Sequence, residues 1–120
     1  MTILVVDDSK AMRMIVMRTI RQAGFDGHEV VQAENGQAAL DAVRGGLSCH
    51  LILSDWNMPE MNGIDFLRAL RADQRQVPFG FITSEGTPVM REQAKEAGAD
   101  FLIAKPFTVD AFQTELARVL

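Results

Sequence analysis

Short apolar runs recur along the chain at nearly even intervals, and each has the length of a β-strand. Almost every residue within a run is apolar, which is typical of parallel strands that helices cover on both faces. We predict five strands: Ile3–Val6, Glu29–Ala33, Leu51–Ser54, Phe79–Thr83 and Phe101–Ala104.

The segments between these runs carry apolar residues at helical spacing. In the first segment the apolar stripe consists of Met12, Ile15, Val16, Thr19 and Ile20. Arginines lie off this stripe, and Gly24 is expected to end the helix. The other four helices are predicted at about Gly36–Arg44, Gly63–Ala72, Pro88–Ala97 and from Val109 to the end of the chain.

Strand and helix therefore alternate five times, which predicts an α/β fold. The expected architecture is a doubly wound, five-stranded parallel sheet of order 2-1-3-4-5 with helices on both faces. A length of 120 residues fits one domain, 1–120. In such a sheet the ligand crevice lies at the carboxyl ends of the strands, between strands 1 and 3.

Composition and charge exclude several classes of partner. The formal net charge is -4 and the isoelectric point is near 5.1, so no broad basic surface is expected for a nucleic acid or an anionic membrane. Cys49 is the single cysteine, which excludes an internal disulfide, and its apolar neighbours predict a small core residue. The run Ile3–Val6 is too short for a signal peptide or a membrane span, so we expect a cytoplasmic location.

Polar side chains with chemical potential stand where the predicted strands end. Asp7 and Asp8 follow the first strand, Asp55 follows the third, Thr83 ends the fourth, and Lys105 follows the fifth. Because parallel strands end at one edge of their sheet, three carboxylates, a hydroxyl and an ammonium group are expected to converge there.

Each of these residues also has an ordinary structural interpretation. Asp8 fits a helix N-cap, and Asp55 fits a turn-forming loop. Thr87 before Pro88 is a good cap for the fourth helix, and Lys105 fits a solvated surface lysine. These interpretations do not explain why all the features occur at strand ends.

Three crowded carboxylates repel one another, so their ionised state requires a compensating cation or proton. Mg²⁺ is the natural cation, because it prefers oxygen ligands and commonly combines one or two carboxylates with a phosphoryl group. One carboxylate could then act as the nucleophile toward a phosphoryl donor. Lys105 would balance charge on the phosphoryl oxygens, and the Thr83 hydroxyl could donate a hydrogen bond to one of them.

Four short motifs carry a resemblance to a known family, and they are spread over essentially the whole chain. They are Leu4-Val5-Val6-Asp7-Asp8-Ser9, Ser54-Asp55-Trp56-Asn57-Met58-Pro59 with Gly63, Thr83-Ser84-Glu85, and Lys105-Pro106-Phe107. With these motifs the sequence resembles the receiver domain of two-component response regulators. Within that family it is most similar to the stand-alone chemotaxis receivers of the CheY type.

The resemblance implies a role for each residue of the acidic cluster. Asp55 matches the phosphoacceptor, Asp8 a direct Mg²⁺ ligand, and Asp7 an acid that holds the metal through water. The main-chain carbonyl of Asn57 matches the remaining protein ligand. Asn57 and Glu85 match positions that tune how quickly the phosphoryl group is lost to water.

The resemblance also implies a switch. Thr83 matches the hydroxyl that moves toward the phosphoryl oxygens, Lys105 matches the lysine that pairs with them, and the Lys105-Pro106 bond is expected to be cis. The chain departs from the family three residues before Lys105, where Leu102 replaces the usual aromatic residue. Whether the neighbouring Phe101 takes that role is left open.

The output surface implied by the resemblance is formed by helix 4, strand 5 and helix 5. Its candidate contacts are Met90, Gln93, Ala94, Leu102, Phe107 and Phe112. Since phenylalanine is often buried, the alternative for Phe107 and Phe112 is that they mainly fill the core.

Taken together, the resemblance implies a signalling switch rather than a conventional enzyme. Its phosphodonor would be a histidine kinase or phosphotransfer protein, its cofactor Mg²⁺, and its output a downstream protein target, with chemotaxis as the process implied by the subtype. Three alternatives stay open: a receiver excised from a longer regulator, a Mg²⁺-dependent aspartyl-phosphate phosphohydrolase, and an interaction module with a decayed site. A phosphohydrolase of that kind needs a second aspartate as acid and base two residues after the nucleophile, and this chain has Asn57 there.

Overall fold

The structure is a computed structural model that describes residues 1–120. One sheet of five parallel strands has the order β2-β1-β3-β4-β5. The strands are β1 (Thr2–Val6), β2 (Glu29–Ala33), β3 (Leu51–Ser54), β4 (Phe79–Thr83) and β5 (Phe101–Ala104). The helices are α1 (Lys10–Gln22), α2 (Gly36–Arg44), α3 (Gly63–Ala72), α4 (Pro88–Ala97) and α5 (Val109–Val119). The predicted fold class and strand order are confirmed, and β1 begins one residue earlier than predicted.

The strand register brings the ends of β1 and β3 together. Val6 lies opposite Ser54 in β3, and on its other side it lies opposite Ala33 in β2. Beyond these pairs the ladder continues for one more step, because the Asp55 N–H donates to the Val6 carbonyl at 2.9 Å. The residues after β1 and β3 are therefore neighbours at the carboxyl edge of the sheet.

The core has two layers, one on each face of the sheet, because successive strand residues point to opposite faces. One layer packs strand residues such as Leu4, Ile52 and Phe81 against α2, α3 and α4. The other packs Val5 and its neighbours in β3, β4 and β5 against α1 and α5. Burial on both faces explains why the strands are apolar at nearly every position.

Each helix begins with a side-chain cap that accepts a backbone N–H three residues later, which satisfies a donor that the first turn leaves free. The caps are Ser9, Asn35, Asn62, Thr87 and Thr108. The predicted Thr87 cap is confirmed. An N-cap role for Asp8 is wrong, since Ser9 caps α1 at Met12 N–H and Asp8 lies before the cap.

Two predicted core positions are corrected by the packing. Ile15 is 43% exposed, so the inward stripe of α1 is narrower than its apolar pattern and its buried members are Val16, Thr19 and Ile20. Cys49 is half-buried at the margin of the core rather than within it. Partial burial raises the pKa of the Cys49 thiol above its ordinary value.

None of the helices combines the length and apolar composition needed to cross a membrane.

Candidate functional site: an acidic crevice at the carboxyl ends of the strands

Three aspartates form a compact cluster at the edge where β1 and β3 end. One carboxylate oxygen from each of Asp7, Asp8 and Asp55 lies within 4.8 Å of the other two. Asp7 is buried, Asp55 is half-buried and Asp8 is exposed, so the cluster opens to solvent on one side. An all-oxygen donor set with an open side is suited to a hard divalent cation that keeps some of its waters.

A lysine from the far end of the chain approaches the same cluster. The Lys105 Nζ lies 3.5 Å from Asp7 Oδ2 and 3.4 Å from Asp55 Oδ2. Only 16% of the Lys105 side chain is exposed, so the solvated-lysine interpretation is wrong. The Lys105–Pro106 peptide is cis, as the resemblance implied.

The Asp7 carboxyl is held in a balance of opposing effects. Burial raises the pKa of Asp7 above its ordinary value, and the nearby Asp55 carboxylate acts in the same direction. The Ser9 N–H, which donates to Asp7 Oδ1 at 2.9 Å, and the Lys105 ammonium both act to lower that pKa. Burial is the largest of these effects, so ionising the Asp7 carboxyl costs free energy in the protein alone. A cation beside Asp7 would reduce that cost.

The backbone holds Asp55 closely. Asp55 Oδ1 accepts the Trp56 N–H at 2.7 Å, which leaves Oδ2 facing Lys105. The Ser54 hydroxyl donates to the Asp55 main-chain carbonyl at 2.8 Å. On its other side this carbonyl faces Gly63, where a Cβ atom would come within 2.2 Å of it. Glycine at 63 therefore allows α3 to pack directly against the backbone of the candidate acceptor.

Thr83 is the last residue of β4, and its main chain is bonded to Lys105. Its side chain is fully buried, and Oγ1 accepts the Glu85 N–H at 3.3 Å. The main chain of Lys105 donates to the Thr83 carbonyl at 2.7 Å, which joins the two residues directly. Glu85 and Asn57 are both exposed at the rim.

The two candidates for the switch position lie on opposite faces of β5. Leu102 is half-buried in the layer that contains α4. Phe101 is 7% exposed in the layer of α1 and α5, with its ring against the backbone of Gly80. Phe101 therefore does not substitute for Leu102, because the pleat directs its side chain to the other side of the sheet.

The predicted output contacts divide into surface and core residues. Gln93 is exposed and Met90 is half-buried, so both remain candidates. Ala94 and Phe112 are buried, and their assignment as surface contacts is wrong. Phe107 is half-buried and packs on Phe112 with ring centroids 4.8 Å apart, so it contributes both to the core and to the surface.

A groove of about 490 Å³ separates β5 from α5 on this side of the molecule. Leu102, Pro106 and Phe107 give it an apolar floor, and Asp110 and Glu115 add acidic groups. Ala104 and Pro106, the two neighbours of Lys105, both line this groove, so Lys105 connects the crevice to this surface.

Sequence reasoning gave Arg13 no role in the site. The Arg13 guanidinium donates to the Asp7 main-chain carbonyl at 2.6 Å and to Gln32 Oε1 at 3.0 Å. It thereby joins the end of β1 to β2 beneath the acidic cluster. A position one turn after Ser9 was the only sequence signal that Arg13 could reach back to the site.

Comparisons with known proteins identify the family. A family model described as the response regulator receiver domain matches residues 3–117. Chemotaxis protein CheY1 of Helicobacter pylori is 38% identical over 122 residues, covering 100% of this chain and 97% of the relative. Chemotaxis protein CheY of Pseudomonas aeruginosa is 36% identical over 121 residues, covering 99% of this chain and 95% of the relative. Among solved structures, Vibrio cholerae CheY4 has a TM-score of 0.86 at 34% identity, covering 99% of this chain and 98% of that one.

Proposed function

This chain belongs to the response regulator receiver family and is homologous to the CheY chemotaxis regulators, and from that premise we propose that it is a switch driven by phosphorylation of Asp55. The single observation that carries the proposal is the position of the Asp55 carboxylate. One of its oxygens lies 3.4 Å from the Lys105 ammonium, within a cluster that also holds Asp7 and Asp8. Phosphoryl transfer depends chiefly on positioning and charge neutralisation, which this arrangement supplies.

The proposed cofactor is Mg²⁺. Asp8, Asp55 and the main-chain carbonyl of Asn57 would hold it directly, and Asp7 would hold it through water. When bound, it would neutralise charge on the carboxylates and on the incoming phosphoryl group. The raised pKa of Asp7 supports this assignment, since the buried carboxyl lacks a full counter-charge from the protein alone.

In the proposed reaction a carboxylate oxygen of Asp55 forms a bond to phosphorus as the P–N bond of a donor phosphohistidine breaks. The donor ring carries a proton on its other nitrogen, so when the electron pair of the P–N bond stays on the ring the histidine leaves as neutral imidazole, and the product is an aspartyl phosphate. Lys105 stabilises the phosphoryl oxygens, and the Thr83 hydroxyl donates a hydrogen bond to one of them. Water later cleaves the acyl phosphate, at a rate that Asn57 and Glu85 influence from the rim.

The proposed output surface consists of exposed parts of α4, β5 and α5 together with the groove beside β5. Movement of Thr83 toward a phosphoryl group would displace the β4–α4 loop, which borders this surface. Met90, Gln93 and Leu102 are the candidate contacts for a downstream protein target. A histidine kinase or phosphotransfer protein is the proposed donor, chemotaxis the proposed process, and the cytoplasm the proposed location.

The assignment of residues 1–120 as one receiver domain stays a prediction, as does the choice between a stand-alone protein and part of a longer regulator. The mass of the native gene product distinguishes the two. The phosphohydrolase alternative predicts rapid multiple turnover on a phosphomonoester, which a receiver does not perform.

Replacing Asp55 with Asn tests the proposal. Wild-type protein with Mg²⁺ and acetyl phosphate should gain one phosphoryl group by mass spectrometry, and the fluorescence of the adjacent Trp56 should change. Asp55→Asn should show neither response. Asp65→Asn is the matched control, because Asp65 is an exposed aspartate of α3 paired only with Arg68. Persistent labelling of Asp55→Asn, or no labelling of the wild type, would overturn the assignment.

A further inference from the structure

One arginine joins the β4–α4 loop to the edge of the sheet. Arg91 lies in the first turns of α4, and its Nε donates to the Gly86 carbonyl at 3.2 Å. Its Nη1 reaches the Leu102 carbonyl of β5 at 3.4 Å. A single guanidinium group therefore connects the β4–α4 loop, the start of α4 and the edge strand.

The loop also packs closely against the side chains of β5. A Cβ atom built at Gly86 would lie 3.1 Å from Arg91 Nη2, 3.4 Å from the Ala104 Cβ and 3.6 Å from Leu102 Cδ2. Gly86 thus lies between Arg91 and Leu102. Leu102 is the residue at which this chain departs from the aromatic pattern of its family. The loop covers its side chain, and its carbonyl accepts a hydrogen bond from Arg91.

Few fully buried residues hold α4 against the sheet. Ala94 is the only buried residue of α4, whereas α3 buries five residues and α2 buries four. At the start of α4, Met90 packs against the core and Thr87 caps the helix, and the Arg91 contacts add the link from α4 to the loop and to β5. Regions with few buried apolar contacts are also the ones that rearrange at low cost.

The same loop is tied to Thr83. The Thr83 hydroxyl accepts the Glu85 N–H at 3.3 Å, so movement of this hydroxyl toward a phosphoryl group either breaks that bond or draws Glu85 and the adjoining Gly86 with it. Displacement of the Gly86 carbonyl breaks its contact with Arg91.

We propose that Arg91 is a positioning residue that holds the β4–α4 loop in its resting position through the Gly86 and Leu102 carbonyls, and so limits how readily the chain adopts its phosphorylated conformation. This inference rests on the proposed function. Leu102 is too small to restrain the loop as a bulky aromatic side chain would, and Arg91 supplies a polar restraint instead. A ligand that binds only the switched state has a lower apparent affinity for the protein when the resting state is stabilised.

The test compares wild type, Arg91→Ala and Arg91→Lys. Beryllofluoride serves as the phosphoryl mimic, and its affinity is followed in Mg²⁺ by Trp56 fluorescence. Arg91→Ala should bind beryllofluoride about threefold to tenfold more tightly, the range expected when roughly one net hydrogen bond is lost from the resting state. Arg91→Lys should fall between the two, since one ammonium group cannot reproduce both guanidinium contacts. Arg118→Ala is the matched control, because Arg118 is an exposed arginine on α5 bonded to Asp100 and Glu115 and not to the loop.

A second measurement needs no ligand. Amide hydrogen exchange at Glu85, the loop residue whose N–H is bonded to Thr83 Oγ1, should be faster in Arg91→Ala than in wild type, with β1 and β3 unchanged. Unchanged loop exchange, or beryllofluoride affinity that is equal to or weaker than wild type, would overturn the role of Arg91. If the wild type itself does not bind beryllofluoride, the proposed function fails, and loop exchange still decides whether Arg91 restrains the loop.

Discussion

Replacing Gly63 with alanine would test whether close packing of α3 positions Asp55. The added Cβ would lie 2.2 Å from the Asp55 carbonyl oxygen and 2.9 Å from Phe81 Cε1. The carbonyl cannot move away alone, because the Ser54 hydroxyl donates to it, and Gly63 N–H is itself bonded to the Trp56 carbonyl at 2.8 Å. Alanine therefore has to shift the start of α3 and the Asp55 backbone together.

The expected loss of stability is about 2–3 kcal/mol, the upper part of the usual range for overpacking. At about 2.1 cal/mol/K per residue, a chain of 120 residues has an entropy of unfolding of about 0.25 kcal/mol/K. The melting temperature should then fall by about 8–12 °C. A carboxylate displaced by about 1 Å should also lose up to about a hundredfold in phosphorylation rate.

Two control variants separate these effects. Gly27→Ala meets no atom within 4 Å, so it should leave the melting temperature unchanged or slightly raised. Gly80→Ala brings a Cβ to 2.1 Å from the Phe101 ring, away from the acidic cluster. It should lower stability without a comparable loss of rate. Thermal denaturation by circular dichroism and the rate of acetyl phosphate labelling, measured well below each melting temperature, give both quantities.

Full labelling by Gly63→Ala at the wild-type rate would refute the reasoning, because Asp55 would then tolerate a displaced α3. Equal losses of rate in Gly63→Ala and Gly80→Ala would also refute it, since the effect would follow general destabilisation and not the position of the carboxylate.

Two further variants test the electrostatics of the crevice and the capping of α4. Asp7→Asn should raise the free energy of unfolding in metal-free buffer near neutral pH, while weakening Mg²⁺ binding, because burial raises the pKa of Asp7 above 3.8. As pH rises from 3.8 through the raised pKa of the folded state, the unfolded chain loses the Asp7 proton first, so the stability of the wild type falls across that window. Urea titrations in which Asp7→Asn showed the same fall would contradict this account. Thr87→Ala removes the acceptor for Met90 N–H and should cost about 1 kcal/mol, or about 4 °C in melting temperature, while Thr87→Ser should cost much less. A melting temperature for Thr87→Ala equal to that of the wild type would show that the cap contributes nothing.

Most of the fold was predictable because its signals are local. Continuous apolar runs, helical stripes and cap residues such as Thr87 are set by neighbours along the chain, and they predicted the helices and strands almost to the residue. The failures occurred where the local signal was ambiguous or where packing decided the outcome. Asp8 and Ser9 are both good caps by type, and only the backbone conformation before α1 selects Ser9. Ile15 fits the apolar stripe, but no element packs over it.

By itself the sequence determined that acidic, hydroxyl and ammonium groups stand at the ends of parallel strands, because strand ends and residue types can both be read along the chain. The tertiary structure decided which of these groups meet: Lys105 reaches Asp7 across 98 positions, and Asp55 across 50, through strand order and register. It also assigned Phe101 and Leu102 to opposite faces of the sheet and directed Arg13 and Arg91 onto main-chain carbonyls. Main-chain carbonyls are common to every residue, so no sequence pattern identifies which of them an arginine will bind. That choice depends on how the helices pack against the sheet.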